Sequence, residues 1–152
     1  MKKIYLLLFI IIFSSSCKTK KDSTSKINNG NINFSKILEG SHSNFKDKDF
    51  ILINSKEQLQ KIYGTLNSTR MPGFEIPKIN FDKEQVIGFF MGTKTTGGYS
   101  ISLDHIKNEK DEILVFFTEK TPSGMATSVI TQPFYLAKMV KTSKPVKFII
   151  IE

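Results

Sequence analysis

Few side chains in this sequence are of types that could carry out chemistry. There is one cysteine, Cys17, and there are two histidines, His42 and His105. No serine lies in a Gly-x-Ser-x-Gly motif, and no Cys-x-x-Cys or His-x-x-x-His spacing offers ligands to a metal. We expect a protein that is not an enzyme, with no cofactor, metal or small-molecule substrate. A hydrolase, the contrary hypothesis, would require a deep pocket lined by His105 or by paired carboxylates.

The chemistry that Cys17 can support is acylation. It follows Lys2 and Lys3, an apolar run from Ile4 to Phe13, and Ser14-Ser15-Ser16. About ten apolar residues are too few to cross a ~30 Å hydrocarbon core, so the pattern indicates a cleaved export signal. Its end resembles a bacterial lipobox, with Ser14 where leucine is commoner. We expect residues 1–16 to be a lipoprotein signal peptide and Cys17 to carry acyl chains such as palmitate; the alternative is a secretory peptide with an incidental cysteine.

Residues 17–33 have the composition of a flexible tether. They are rich in Lys, Ser, Thr and Asn, and their only large apolar residues are Ile27 and Ile32. Such a segment buries too little apolar surface to offset the entropy of ordering. The expected location is the bacterial cell envelope, where acylated Cys17 anchors the chain to the lipid bilayer. The outer membrane is favoured, and the periplasmic or surface face is left open.

The charge of the chain does not indicate a nucleic-acid partner. The formal net charge is +8, but Lys2 and Lys3 leave with the leader. Arg70 is the only arginine, and the lysines are scattered rather than clustered. Recognition of phosphate or guanine usually employs clustered guanidinium groups. We interpret the lysines as a solvated surface.

Residues 34–152 are predicted to form one domain of α+β class, mainly β. Ser55 and Gln58 fit a capping box, and apolar residues recur at helical spacing after them, which predicts a helix over about 56–66. The rest has the pattern of an antiparallel sheet or sandwich of about seven strands. The segment Gln85–Thr93 is apolar on both faces, which is typical of a central strand.

The second half of the domain is predicted to be a β-meander. Tyr99, Ile101 and Leu103 alternate with polar residues, which predicts a half-buried strand. His105 continues this alternation and is interpreted as a sheet-edge residue rather than a base. Strands are also predicted over 112–119, 134–140 and 145–151, with a weaker candidate over 125–131.

Three stretches carry a family resemblance. They are Ile79-Asn80-Phe81-Asp82, the run from Val86 through Gly97-Gly98-Tyr99 to Ile101, and Thr121-Pro122 followed by Thr131-Gln132-Pro133-Phe134-Tyr135. Together they resemble the C-terminal domain of the protease complex subunit PrcB family, over roughly residues 50–152. Phe134 stands between Pro133 and Tyr135, so the last element matches imperfectly. The resemblance implies a non-catalytic exported domain that is, in the founding case, the lipoprotein partner of a surface protease.

Two loops are candidate protein-binding sites. The first contains Thr95, Thr96, Gly97, Gly98 and Tyr99, and the second contains Pro122, Ser123, Gly124 and Met125. If the first loop has only a structural role, it is a tight hairpin, because glycines permit positive φ. If the second loop has only a structural role, it is an inter-strand loop with Met125 in the core. If both lie at one end of the sheet, they form a composite binding edge.

These observations lead to two functional hypotheses. The first is a membrane-anchored, non-catalytic accessory module that binds another exported protein, as a subunit or stabiliser of an exported protease complex. The second is a peptidase inhibitor that acts through Gly97-Gly98-Tyr99, since a short Thr-Gly-Tyr loop is similar to one in chagasin-type inhibitors of cysteine peptidases.

Overall fold

The computed structural model describes residues 30–151. This part of the chain contains seven strands and one helix: β1 (Phe34–Gly40), β2 (Lys48–Ile53), α1 (Lys56–Leu66), β3 (Glu84–Met91), β4 (Ser100–Asn108), β5 (Ile113–Lys120), β6 (Phe134–Val140) and β7 (Val146–Ile151). The strands form a four-stranded sheet of order β1-β6-β3-β2 and a three-stranded sheet of order β4-β5-β7. The predicted mainly β fold with a single helix at residues 56–66 is confirmed.

Several predictions fall on residues outside the described range. They are the signal peptide over residues 1–16, the acylated Cys17, and most of the tether. Within residues 30–151, no helix combines the length and the hydrophobicity that crossing a membrane requires.

The helix α1 begins at the predicted cap. The Ser55 hydroxyl accepts a hydrogen bond from the backbone N–H of Gln58, at 3.3 Å. The Gln58 side chain reaches back one residue further than the usual capping box, to the N–H of Asn54 at 2.8 Å. Leu59, Tyr63 and Leu66 are the buried face of the helix. This local signal explains why the helix could be located from sequence alone.

The two sheets and the helix form three layers. One core lies between the sheets and contains Phe89, Phe117 and Tyr135; the other lies between the four-stranded sheet and α1 and contains Phe90, Phe134 and Leu136. Strand β3 supplies alternate residues to both cores, so seven of its eight residues are buried. Its predicted role as a central strand is confirmed, because β6 and β2 flank it.

The meander prediction is wrong, because the chain changes sheet between β3 and β4, between β5 and β6, and between β6 and β7. Strand β3 pairs with β2 and β6, whereas β4 pairs with β5 in the other sheet. The Gly97-Gly98 segment therefore crosses between sheets and is not a tight hairpin. After β5 the chain crosses to β6 and returns, so β7 lies parallel to β5 rather than antiparallel.

A β-bulge in β4 changes which residues face the core. Leu103 pairs with Phe117 and His105 pairs with Phe116, which leaves Asp104 as the extra residue. The bulge shifts the alternation by one position, so Ile106 is fully buried and His105 is only partly buried. His105 lies on an edge strand of its sheet and stacks on Phe116, with ring centroids 4.3 Å apart.

The chain enters the folded domain at the far end of β4. The backbone N–H of Ile32 donates to Ile106 O, and the N–H of Asn108 donates to Gly30 O. Ile32 is buried in the core between the sheets. Residues 30–33, which composition assigned to the tether, are therefore part of the ordered structure.

Gly88 offers a test of the three-layer packing. A Cβ built on Gly88 would lie 2.5 Å from Leu136 Cδ2 and 2.8 Å from Ile51 Cγ1. We expect Gly88→Ala to lower the free energy of unfolding by about 1–3 kcal/mol, the usual cost of overpacking a core. Urea denaturation measures this change.

The control is Gly64→Ala, because a Cβ on this helical residue would meet no atom within 4 Å. Alanine has the higher helix propensity, so this variant should be more stable by about 0.5–1 kcal/mol. An unchanged stability of Gly88→Ala would contradict the close approach of β3 to its neighbours.

Candidate functional site

The first predicted loop is held in place by backbone hydrogen bonds to the segment 127–131. Lys94 and Thr131 exchange N–H to C=O bonds of 2.8 and 2.9 Å. The N–H of Gly97 donates to Thr127 O at 2.9 Å, and the Thr131 hydroxyl donates to Thr96 O at 3.0 Å. Thr95 is exposed between these contacts. Residues 94–97 and 127–131 therefore lie side by side and are joined by irregularly spaced hydrogen bonds.

The two predicted loops lie against each other. Gly98 has φ +87°, and a Cβ built on it would lie 2.8 Å from Pro122 Cβ. Only glycine adopts this backbone conformation without strain and permits so close an approach. The sequence predicted a composite edge only if both loops lie at the same end of the sheet, and they do. The first loop, residues 94–99, and the second loop, residues 121–131, form one surface. We call this surface the loop cluster.

An open groove runs between the two loops. It has a volume of about 450 Å³, and Gly97, Gly98, Pro122, Ser123 and Met125 are among the residues that line it. Its other walls include Lys120, Thr121 and Thr127. The groove is therefore lined by glycine, proline, hydroxyl groups, one methionine and one lysine.

The second loop exposes apolar side chains. Met125 is fully exposed, Ile130 is 66% exposed and Val129 is 42% exposed. The expectation that Met125 lies in the core is wrong. The strand predicted over 125–131 is also absent, because only Thr131 of this segment forms a bridge, with Lys94. Without a paired strand to direct them inward, these side chains remain in solvent.

Tyr99 has a different environment from the rest of the cluster. Its ring is half-buried and packs against the core between the sheets. The Lys94 ammonium lies 5.3 Å from the centre of the ring, within the range of a cation–π contact. Tyr99 therefore connects the loop to the core and offers little of its surface to a partner.

Gln132 supports the loop cluster through hydrogen bonds to neighbouring segments. The sequence analysis did not select this residue as a site. Its side chain accepts a hydrogen bond from Asn44 N–H at 3.0 Å and donates to the Thr93 hydroxyl at 3.2 Å. Its backbone also bonds to Ser41 and Ser43. Asn44 in turn donates to Thr65 O at the end of α1. The signal that could have found Gln132 is its place beside Pro133 in the family-like stretch.

An ion pair joins the two sheets near the same end of the molecule. Lys48 begins β2, and its ammonium contacts the carboxylate of Glu119 near the end of β5. The Glu119 side chain is only 17% exposed, so the pair is partly shielded from water. Pairs in such positions are less screened by salt than surface pairs. The contact links the two sheets near the loop cluster.

Neither histidine belongs to the loop cluster. His105 Nδ1 contacts Asp104 on the outer face of the three-stranded sheet, and His42 Nδ1 contacts the Ser41 hydroxyl. Among residues 30–151, no group of three or more His, Cys, Asp or Glu side chains is placed to hold a metal ion.

The comparison with protein families matches the part of the chain that forms the loop cluster. A family model described as PrcB C-terminal matches residues 85–140, from β3 to the end of β6. Over this stretch, the chain is similar to the PrcB family. The PrcB match includes both loops, Gln132 and Glu119, and it is shorter than the resemblance expected over residues 50–152. Searches of curated proteins and of solved structures find no match.

Alanine at Gly98 tests the contact between the two loops of the loop cluster. A positive φ costs an L-residue about 1–2 kcal/mol, and Cβ would also press on Pro122. We expect Gly98→Ala to lower the free energy of unfolding by more than the φ cost alone, measured by urea denaturation.

Gly124→Ala is the matched control. Gly124 has φ +86°, nearly the same as Gly98, but a Cβ there would meet no atom within 4 Å. The difference between the two variants isolates the contact with Pro122, which we expect to be about 1 kcal/mol. Equal losses in both variants would mean that the loops do not pack together.

Proposed function

We propose that this protein is a membrane-anchored, non-catalytic lipoprotein whose PrcB domain binds another exported protein, as a subunit or stabiliser of an exported protease complex. The observation that carries the proposal is the loop cluster, in which apolar side chains are exposed on a loop that the rest of the fold supports. The family match favours a protease complex, because the PrcB family takes its name from a protease complex subunit.

The exposed side chains are large enough to contribute substantially to binding. Full burial of a Val, Ile or Met side chain contributes about 1.5–3 kcal/mol. Met125 and Ile130 start from high exposure, so nearly all of that contribution is available to a partner. Methionine also adapts to varied partner surfaces. We therefore assign Met125 and Ile130 as the principal contacts.

The first described residue, Gly30, and the loop cluster lie at opposite ends of β4. The chain enters beside Asn108, whereas the loop cluster precedes Ser100. At about 3.4 Å per residue, these two ends of the strand are roughly 27 Å apart. A lipid anchor on Cys17 would therefore leave the loop cluster accessible to a partner in the same envelope.

The alternative function, peptidase inhibition through Gly97-Gly98-Tyr99, is not favoured by the geometry. An inhibitory loop must enter a cleft as an extended, accessible segment. Here Gly97 is bonded to Thr127, Gly98 packs on Pro122, and Tyr99 packs on the core. The accessible tip of the surface is Met125, not Tyr99.

Replacement of Cys17 tests the anchor. We expect Cys17→Ser to abolish incorporation of labelled palmitate and to move the exported protein from the membrane fraction to the soluble fraction, because stable anchoring depends on acyl chains. Ser16→Ala is the control, since it keeps a small residue before the cysteine and should retain the label. Palmitate on the Cys17→Ser protein would refute this part of the proposal.

Site-specific photocrosslinking tests the binding surface. A photoreactive amino acid at position 125 of the full chain, in its native envelope, should give a covalent conjugate that mass spectrometry identifies as a protease or protease subunit. Position 71 is the control, because Met71 is 98% exposed but lies on the loop after α1 and does not line the groove.

A double variant measures the energetic role of the same contacts. Met125→Ser with Ile130→Ser should reduce co-purification of that partner at least tenfold, equivalent to about 1.4 kcal/mol. Met71→Ser should leave it unchanged. Equal conjugates at positions 71 and 125, or full retention of the partner by the double variant, would contradict the assignment of the loop cluster.

A further inference from the structure

Strand β7 has an outer edge that is open in the part of the chain that the structure describes. It is the last strand of the order β4-β5-β7, and none of the isolated bridges involves it. Its sequence, VKFIII, contains one charge and no proline. An open, apolar edge strand is a template for pairing with another strand. The open edge of residues 146–151 is not explained by binding at the loop cluster.

The other three sheet edges carry features that discourage pairing. Residues 30–32 pair with the end of β4, which also contains the bulge at Asp104. Strand β1 has a register shift between Lys36 and Leu38. Strand β2 begins with two charged residues, Lys48 and Asp49. Charges and bulges are the usual protection of edges, and β7 has neither a bulge nor more than one charge.

The register with β5 defines which backbone groups of β7 point outward. Ile113 pairs with Val146, and its N–H donates to Pro145 O. In a parallel pair, a residue bonds to the residues before and after its partner, so the groups of alternate residues point toward β5. The N–H and C=O groups of Val146, Phe148 and Ile150 therefore point to the open edge.

We propose that β7 pairs in antiparallel fashion with β7 of a second copy of this chain, with Phe148 facing Phe148 across a twofold axis. This register places Val146 opposite the second copy's Ile150, so every outward N–H and C=O of the strand gains a partner. A register centred on Ile149 would instead leave Val146 outside the paired strand. Pairing about Phe148 converts two three-stranded sheets into one continuous sheet.

The side chains of β7 fit this register. On the outer face, Lys147 lies opposite the second copy's Ile149, so no like charges face each other. The same face carries half-buried Leu114 and Phe116 on β5, next to Lys147 and Ile149 respectively. Joining two such faces extends a shared apolar surface across the interface. The second copy therefore fits the edge by symmetry as well as by hydrogen bonding.

A charge reversal at Ile149 tests the pairing. In the antiparallel register, residues 147 and 149 of the two copies are a close pair, with Cα atoms about 4.5 Å apart. The twofold axis produces two such pairs, because residue 147 of each copy faces residue 149 of the other. Ile149→Lys would place lysine opposite Lys147 in both pairs, whereas Ile149→Glu would place glutamate opposite Lys147 in both. Both variants remove the same side chain from the same face of the strand, so they lose the same apolar contacts within the single copy.

The oligomeric state of the full acylated protein in detergent, measured as the protein mass by light scattering, gives the readout. We expect a dimer for the natural sequence and for Ile149→Glu, and at least a tenfold higher dissociation constant for Ile149→Lys. The double variant Lys147→Glu with Ile149→Lys should restore the dimer. Equal thermal unfolding midpoints of the two single variants would show that both retain the fold.

Three results would overturn the proposal. They are a natural protein that is monomeric at all accessible concentrations, equal dissociation constants for Ile149→Lys and Ile149→Glu, and failure of the double variant to restore the dimer. Capture of an extended peptide along β7 by a monomer would assign the edge to a different partner. The crosslink at position 125 is independent of each result, so failure here is distinguishable from failure of the proposed function.

Discussion

The burial of β3 on both faces is the constraint on which the rest of the structure depends. A strand that is apolar on both faces must be covered twice. Alternate side chains, such as Phe89 and Phe90, therefore enter different cores, and one sheet alone could not satisfy both. The second sheet covers one face of the four-stranded sheet, and α1 covers the other. The same double coverage requires glycine at position 88, because Leu136 and Ile51 occupy the space that a side chain there would need.

This layering also explains where the loop cluster forms. Since β3 and β4 lie in different sheets, the segment between them must cross the end of the sandwich. The segment between β5 and β6 makes the reverse crossing at the same end, and the two crossings meet at Gly98 and Pro122. The ion pair of Lys48 with Glu119 spans the sheets near this end. The surface assigned to binding is thus a consequence of sheet order, supported by contacts on both layers.

Sequence alone predicted the features that depend on local signals. The capping residues Ser55 and Gln58 located α1, and the apolar run of β3 identified a central strand. Alternation determines which face of a strand is buried, but it does not determine the partner strand, because pairing depends on residues distant in the chain. The meander, the hairpin at Gly97-Gly98 and the antiparallel β7 failed for that reason. One bulge at Asp104 was enough to change the orientation of His105.

The loop cluster, the β7 edge and Gly30, the first described residue, occupy separate parts of the surface, so the proposed contacts are sterically compatible. A twofold axis that relates two antiparallel β7 strands runs perpendicular to their common sheet. It places the two Gly30 residues at opposite ends of the paired sheet but at the same height along the axis. The chain from Cys17 to Gly30 can reach at most about 45 Å. Two anchors could then enter one membrane when the axis lies along the membrane normal, while both loop clusters face outward at the ends of the assembly. An arrangement of this kind would present two binding surfaces from one anchored unit, and local concentration would favour engagement of a second site after the first.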